Sequence, residues 1–174
     1  MKNMKIAALV LLSLLVGSAS FGQTGSTETL TVPLSSPGKP YSLKVHLVTG
    51  SIKVVGYEGK DVIVNVSPRK NEDEDRSEDT KNGMKRISVS GGYEVTAKEA
   101  DNTVTVNTGN PNKALDLELK IPQDVKLKIG TVNDGDVTVE NVSGELEVNN
   151  VNDKITLTNI SGSVVANTVT EMLP

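Results

Sequence analysis

From Lys126 onward, apolar and polar residues recur with a period of nine, in five units reading KLKIGTVND, DVTVENVSG, ELEVNNVND, KITLTNISG and SVVANTVTE, with Gly135 the single inserted residue. The second place is apolar in every unit (Leu127, Val137, Leu146, Ile155, Val164), as are the fourth (Ile129, Val139, Val148, Leu157, Ala166) and the seventh (Val132, Val142, Val151, Ile160, Val169). The sixth place holds Thr131, Asn141, Asn150, Asn159 and Thr168. Alternation of period two marks a strand with one buried face, and the Asn, Ser, Gly and Asp that close each unit are turn formers. Asn141, Asn150, Asn159, Gly144 and Gly162 are therefore expected at the corners of the repeat. So short a strand cannot bury its apolar face alone, so unit must stack on unit. The arrangement that achieves this is a parallel β-solenoid, with two or three units to a coil. Two units per coil would set Asn141 over Asn159 as an amide ladder, and Asp136 over Lys154 as an outward pair of opposite charges.

The same template appears upstream in Ser51 to Gly59, where Ile52, Val54 and Tyr57 fill the apolar places. Tyr41 to Val48 alternates cleanly, with Leu43, Val45 and Leu47 on one side and Lys44 and His46 on the other. Further strands are predicted at Asp61 to Ser67, Arg86 to Ser90, Thr103 to Thr108 and Ala114 to Ile121, with no helix. Residues 68–84 are almost devoid of apolar side chains, which predicts a solvated acidic loop.

The chain opens differently. Lys2 and Lys5 precede the apolar run Ile6 to Val16, and small residues follow, ending in Ser20-Phe21-Gly22. That is the form of a secretory signal peptide, and the run is shorter than the roughly 20 residues that span a membrane. The expected organisation is a cleaved signal at 1–22, then one all-β domain over 23–174 with the nine-residue repeats at 126–171. The expected location is the periplasm, the outer membrane surface or the extracellular space. Losing Lys2 and Lys5 takes the net charge from −4 to −6, which argues against nucleic acid as a partner. The absence of cysteine excludes disulfides. With only Tyr41, Tyr57 and Tyr93 as aromatics after the signal, the core must be Val, Leu and Ile, residues that favour strands.

The TGSIKVVGYEGKDVIVNV segment, the IPQDVKLKIGTVNDGDV segment and the NVSGELEV and NISGSVVANTV repeats together resemble the putative adhesin family of bacterial envelope proteins with β-strand repeats. The likeness covers nearly all of the chain after the signal, and its motifs are structural, naming no active site. It implies a right-handed parallel β-solenoid-like fold, an envelope location and an adhesive role. In that family more strands follow the region corresponding to Ser163 to Thr168, where this sequence has only Glu171 to Pro174 after its last repeat strand. The expectation is a frayed C-terminus, self-association through an uncapped C-terminal edge, or a truncated frame.

Candidate chemistry is sparse. His46 is the sole histidine and falls on a polar strand side, with no Gly-x-Ser-x-Gly elbow to accompany it. Asp116 with Glu118, and Glu145 with Glu147, share strand faces as paired acids of a sugar-cleaving enzyme would, yet outward acids on an alternating strand are ordinarily its solvated side. Asp134, Gly135 and Asp136 approach a calcium-roll unit but lack its double glycine, and Glu72 to Asp75 lack the calcium-loop spacing. No cofactor is expected beyond weak, nonspecific calcium binding. The Asn-x-Ser triplets at 141 and 159 match a glycosylation pattern and are read as corner chemistry. The expected function is a non-catalytic exported envelope protein, an adhesin-like surface for a protein or glycan of the envelope. The alternatives are a regulatory partner of a membrane signalling system and a carbohydrate-active β-helix enzyme.

Overall fold

A computed structural model of the chain describes residues 27–69, 93–111, 113–133, 135–151 and 153–169, none of them helical. Strands form where apolar positions alternate: β1 (Glu28–Pro33), β2 (Tyr41–Thr49), β3 (Ile52–Tyr57), β4 (Asp61–Pro68), β5 (Val95–Ala100), β6 (Thr103–Thr108), β7 (Leu115–Pro122), β8 (Val125–Asn133), β9 (Val137–Val151) and β10 (Ile155–Val169). The expected signal peptide, the strand at Arg86 to Ser90 and most of the acidic loop lie outside the described residues. The loop's expected start does not hold: Pro68 ends β4, and the Arg69 amide donates to the Ala114 carbonyl at 3.0 Å. Sequence reading missed β1 and β5.

The strands make one mixed sheet in the order β1-β4-β7-β3-β9-β8-β2-β6-β5, with β10 added to β9. It comes close to closing as a barrel. The long strands β9 and β10 bend midway, so the first half of β9 pairs with β3 and the second half with β8, while the sheet's far ends, β1 and β5, meet. The bends fall at Asn141 (φ 56°) and Gly144 (φ 129°), and again at Asn159 (φ 52°) and Gly162 (φ 122°). Glycine is needed there because a Cβ on Gly144 would stand 2.1 Å from the Val125 carbonyl oxygen, and one on Gly162 2.1 Å from that of Gly144.

The expected parallel solenoid is therefore corrected to a mixed all-β sheet. β1–β4, β4–β7 and β5–β6 are antiparallel, and β2 and β3 are inserted between strands from later in the chain. The segments 28–33, 61–68 and 95–100 lack the nine-residue spacing that sets like on like, and antiparallel returns satisfy their backbones equally well. Within 125–169 the pairing is parallel, with a register of 18 between β9 and β10 and 19 between β8 and β9. The extra residue is Gly135, whose own Cβ would meet the Gly50 carbonyl oxygen at 1.9 Å.

Inside, like positions form columns. One runs Leu30, Val64, Leu119, Val54, Val139, Leu157 through one side of the molecule, and another runs Val104, Leu43, Leu127, Leu146, Val164 through the other. Both are fully buried at their centres and open towards β10. The apolar seventh place divides by corner. Val142 is buried, whereas Val132 and Val169 are exposed, because on that side the alternation runs unbroken through the sixth place and sends Thr131 and Asn150 inward, while at the other corner the strand bends at its sixth place, Asn141.

Candidate interaction surface

Parallel register fixes what the outside of β6, β2, β8, β9 and β10 displays. Side chains pointing away from the core line up in three rows: Thr103, Ser42, Lys126, Glu145, Ser163; Thr105, Lys44, Lys128, Glu147, Val165; and Asn107, His46, Gly130, Asn149, Asn167. The result is a largely polar lattice at strand spacing, ~4.8 Å between rungs, with a shallow cleft of about 430 Å³ over Ser42, Lys44, Lys128, Glu147 and Val165.

Its charges are arranged across rungs. Lys126 pairs with Glu145 at 3.0 Å and Lys128 with Glu147 at 2.8 Å. The bond from Lys128, helped by Asn149, holds the Glu147 carboxyl below the usual carboxylate range. Lys44 has no carboxylate within ion-pair distance among the described residues, so its ammonium faces solvent beside Lys128. The lattice is thus cationic towards β2 and anionic along β9.

The corner residues form a second, bracing set. The Asn159 amide donates to Asn141 Oδ1 at 2.8 Å, and Asn167 donates to Asn149 Oδ1 at 3.0 Å. The Gln123 amide donates to the Asn141 carbonyl at 2.9 Å, while its oxygen accepts from the Ser143 amide and hydroxyl. Asp136 and Lys154 do stack, but the contact is made by the Lys154 backbone amide on Asp136 Oδ1 at 3.2 Å, a correction to the expected pairing of charged side chains. Asn150 is 1% exposed: its oxygen accepts from the Thr131 hydroxyl at 2.8 Å, and its amide donates to the Gly135 carbonyl at 3.2 Å. A buried amide with these partners is satisfied. Sequence reading placed Asn150 at a corner but had no signal for its burial, since Asn141 and Asn159 occupy the same place in their units and are exposed.

Three of the four paired acids stand beside basic side chains. Asp116 binds Arg69 at 3.1 Å and accepts from the Ser51 amide; Glu145 and Glu147 face lysines. A general acid needs a raised pKa, and Glu147 moves the other way. His46 is exposed beside Gly130. Among the described residues no group of three His, Cys, Asp or Glu gathers to hold a metal ion; Asp136 is committed to Lys154, while Asp134 and the Glu72 to Asp75 cluster lie outside the described residues. No described helix is long and apolar enough to cross a membrane.

No protein-family model and no curated protein matches the sequence. Solved structures similar to it include a putative cell adhesion protein from Clostridium sporogenes (12% identity, 84% of this chain and 100% of that one, TM-score 0.36). Others are putative adhesins from Bacteroides fragilis (13%, 82% and 61%, TM-score 0.37) and Parabacteroides merdae (9%, 83% and 78%, TM-score 0.28). Their names agree with the resemblance carried by the repeats. At TM-scores below 0.5 neither their architecture nor any activity transfers to this chain.

Proposed function

We propose that the chain is a non-catalytic adhesin of the bacterial envelope, exported by its N-terminal signal, that binds a surface partner through the polar lattice. The observation that supports this is the lattice itself: three rows of outward side chains on a sheet, with Lys44, unpaired among the described residues, in the lining of a shallow cleft. Such a face matches a partner that brings carboxylates or hydroxyls to Lys44 and Lys128, whether from a glycan or a protein. Its three rows carry no aromatic platform for a sugar, and the Glu147 carboxyl is held below the usual carboxylate range. The winding of 125–169 is read as a short solenoid segment that keeps these rows in register, and the antiparallel strands beneath it as its base.

The test is binding of the purified protein to intact cells and to acidic and neutral glycans. Lys44→Glu should lower binding at least about tenfold and leave thermal stability unchanged, because exposed charges contribute little to folding. Binding unaffected by Lys44→Glu and Lys128→Glu together would overturn the lattice as the adhesive face, and capture of an inner-membrane regulator in place of a surface ligand would favour the signalling role.

A further inference from the structure

Among the described residues, β10 has a neighbour on one side only. It pairs with β9, and no strand among the described residues lies along its other edge. Of the four large apolar side chains that stand exposed among the described residues, three belong to its second half: Val164 at 40%, Val165 at 56% and Val169 at 64%. A long free edge with apolar side chains is a template for pairing, and β10 carries neither a lysine nor a proline to blunt it.

The way the edge is presented restricts its occupant. Ile155 and Leu157 lie over buried Val137 and Val139 on the first arm, and Val164 and Ala166 over Leu146 and Val148 on the second, so these four are inner positions. The Val137 amide donates to the Lys154 carbonyl at 2.9 Å. Lys154 therefore turns its backbone towards β9, and by alternation Ile155 and Leu157 aim theirs off the open edge. A strand of L-residues that keeps one face inward keeps the same sense after the bend, so Val164 and Ala166 do likewise.

We propose that this edge takes a second copy of the chain, β10 against β10, about a two-fold axis through the bend between Ile160 and Ser161. The axis bisects the bent strand, so the first arm of each copy pairs antiparallel with the second arm of the other. Leu157 then faces Val164 of the second copy, Ile155 faces Ala166, and on the outside Thr156 faces Val165. Inner positions meet inner positions, whereas a slip of one residue would put an apolar column against solvent. The half-buried Ile155 and Leu157 supply the cover that Val164 lacks. The contact is self-complementary and closes at two copies, doubling the lattice face, and it holds whichever partner that face binds.

The chain has no cysteine, so introduced thiols report the register directly. Thr156 and Val165 of the second copy would form a non-hydrogen-bonded pair, with Cα atoms about 4.5 Å apart, inside the range a disulfide spans. The purified protein should sediment as a dimer. Thr156→Cys/Val165→Cys should oxidise to a covalent dimer, while either single variant and the misregistered Thr156→Cys/Ser163→Cys should not. Val164→Lys, checked for folding by circular dichroism, should raise the dimer dissociation constant at least about tenfold. A monomer at all concentrations, an open series of higher oligomers, or equal crosslinking by the misregistered pair would overturn the proposal.

Discussion

Single residues at the bends carry more of the fold than their size suggests. Gly144 combines φ 129° with a carbonyl 2.1 Å from where a Cβ would be, so Gly144→Ala should cost about 2–4 kcal/mol in denaturant unfolding, more than conformational preference alone. Gly38 also has positive φ, but open space around it, and Gly38→Ala should cost only about 1 kcal/mol. Asn150→Ala would strand the buried Thr131 hydroxyl and the Gly135 carbonyl, a loss of about 2–4 kcal/mol, whereas Asn159→Ala at the exposed corner should cost about 1 kcal/mol. Tyr41 adds an alkaline limit. Burial, and secondarily the neighbouring Tyr57, raise its phenol pKa above the ordinary 10.0, and its hydroxyl donates to the Pro122 carbonyl at 3.0 Å. With the folded pKa raised, its contribution is whole below pH 10 and is lost as pH rises towards the folded value. Unfolding followed from pH 8 to 12 should show that decline, and Tyr41→Phe should flatten it.

At the scale of strands, the repeat told most and the unrepeated segments least. The apolar second and fourth places became the inner columns from Leu127 to Val148, because period two leaves a strand no other way to bury them. The same spacing set Asn141 under Asn159. It could not show that alternate units turn at different corners, since the sixth place holds Asn in both and only tertiary packing decides that Asn150 goes inward and Asn141 out. Nor could it show that β2 and β3 slide between later strands, because parallel neighbours are selected by column matching across the whole chain. Even so, Leu30 and Val32 alternate within ETLTVP, a cue sufficient to place β1. For candidate chemistry, the sequence exposed the acids and His46, but which lysine each acid meets depended on the register of 19 that Gly135 introduces. Stability should follow the columns and not the lattice: Leu119→Ala should cost about 2–5 kcal/mol, and Lys126→Ala no more than about 0.5 kcal/mol, both read from urea midpoints.

For the molecule as a whole, the two ends are finished differently. At one end β1 and β5 draw together, and the Ser35 hydroxyl donates to Glu99 at 2.7 Å. That bond, followed by the Asn102 and Ser35 amides, holds the exposed Glu99 carboxyl below its ordinary 4.5. A lowered folded pKa gives a contribution present above pH 4.5 and lost as pH falls through the folded value. Ser35→Ala should shift the Glu99 titration upward in an NMR pH series. At the other end β10 has no second neighbouring strand among the described residues, and one inner column changes along its length from Leu47 to Thr131, Asn150 and Thr168. The first three are buried and the last is exposed, its hydroxyl donating to the Asp153 carbonyl at 3.2 Å, which gives the molecule a grain. Loosening should therefore travel in a single direction, from β10 inward, with deuterium entering 155–169 first, then 137–151, and the antiparallel base last of all. A tether pulling from that end would strip β10 from β9 first and then β9 from β3 and β8, each rupture releasing one strand of 15 residues.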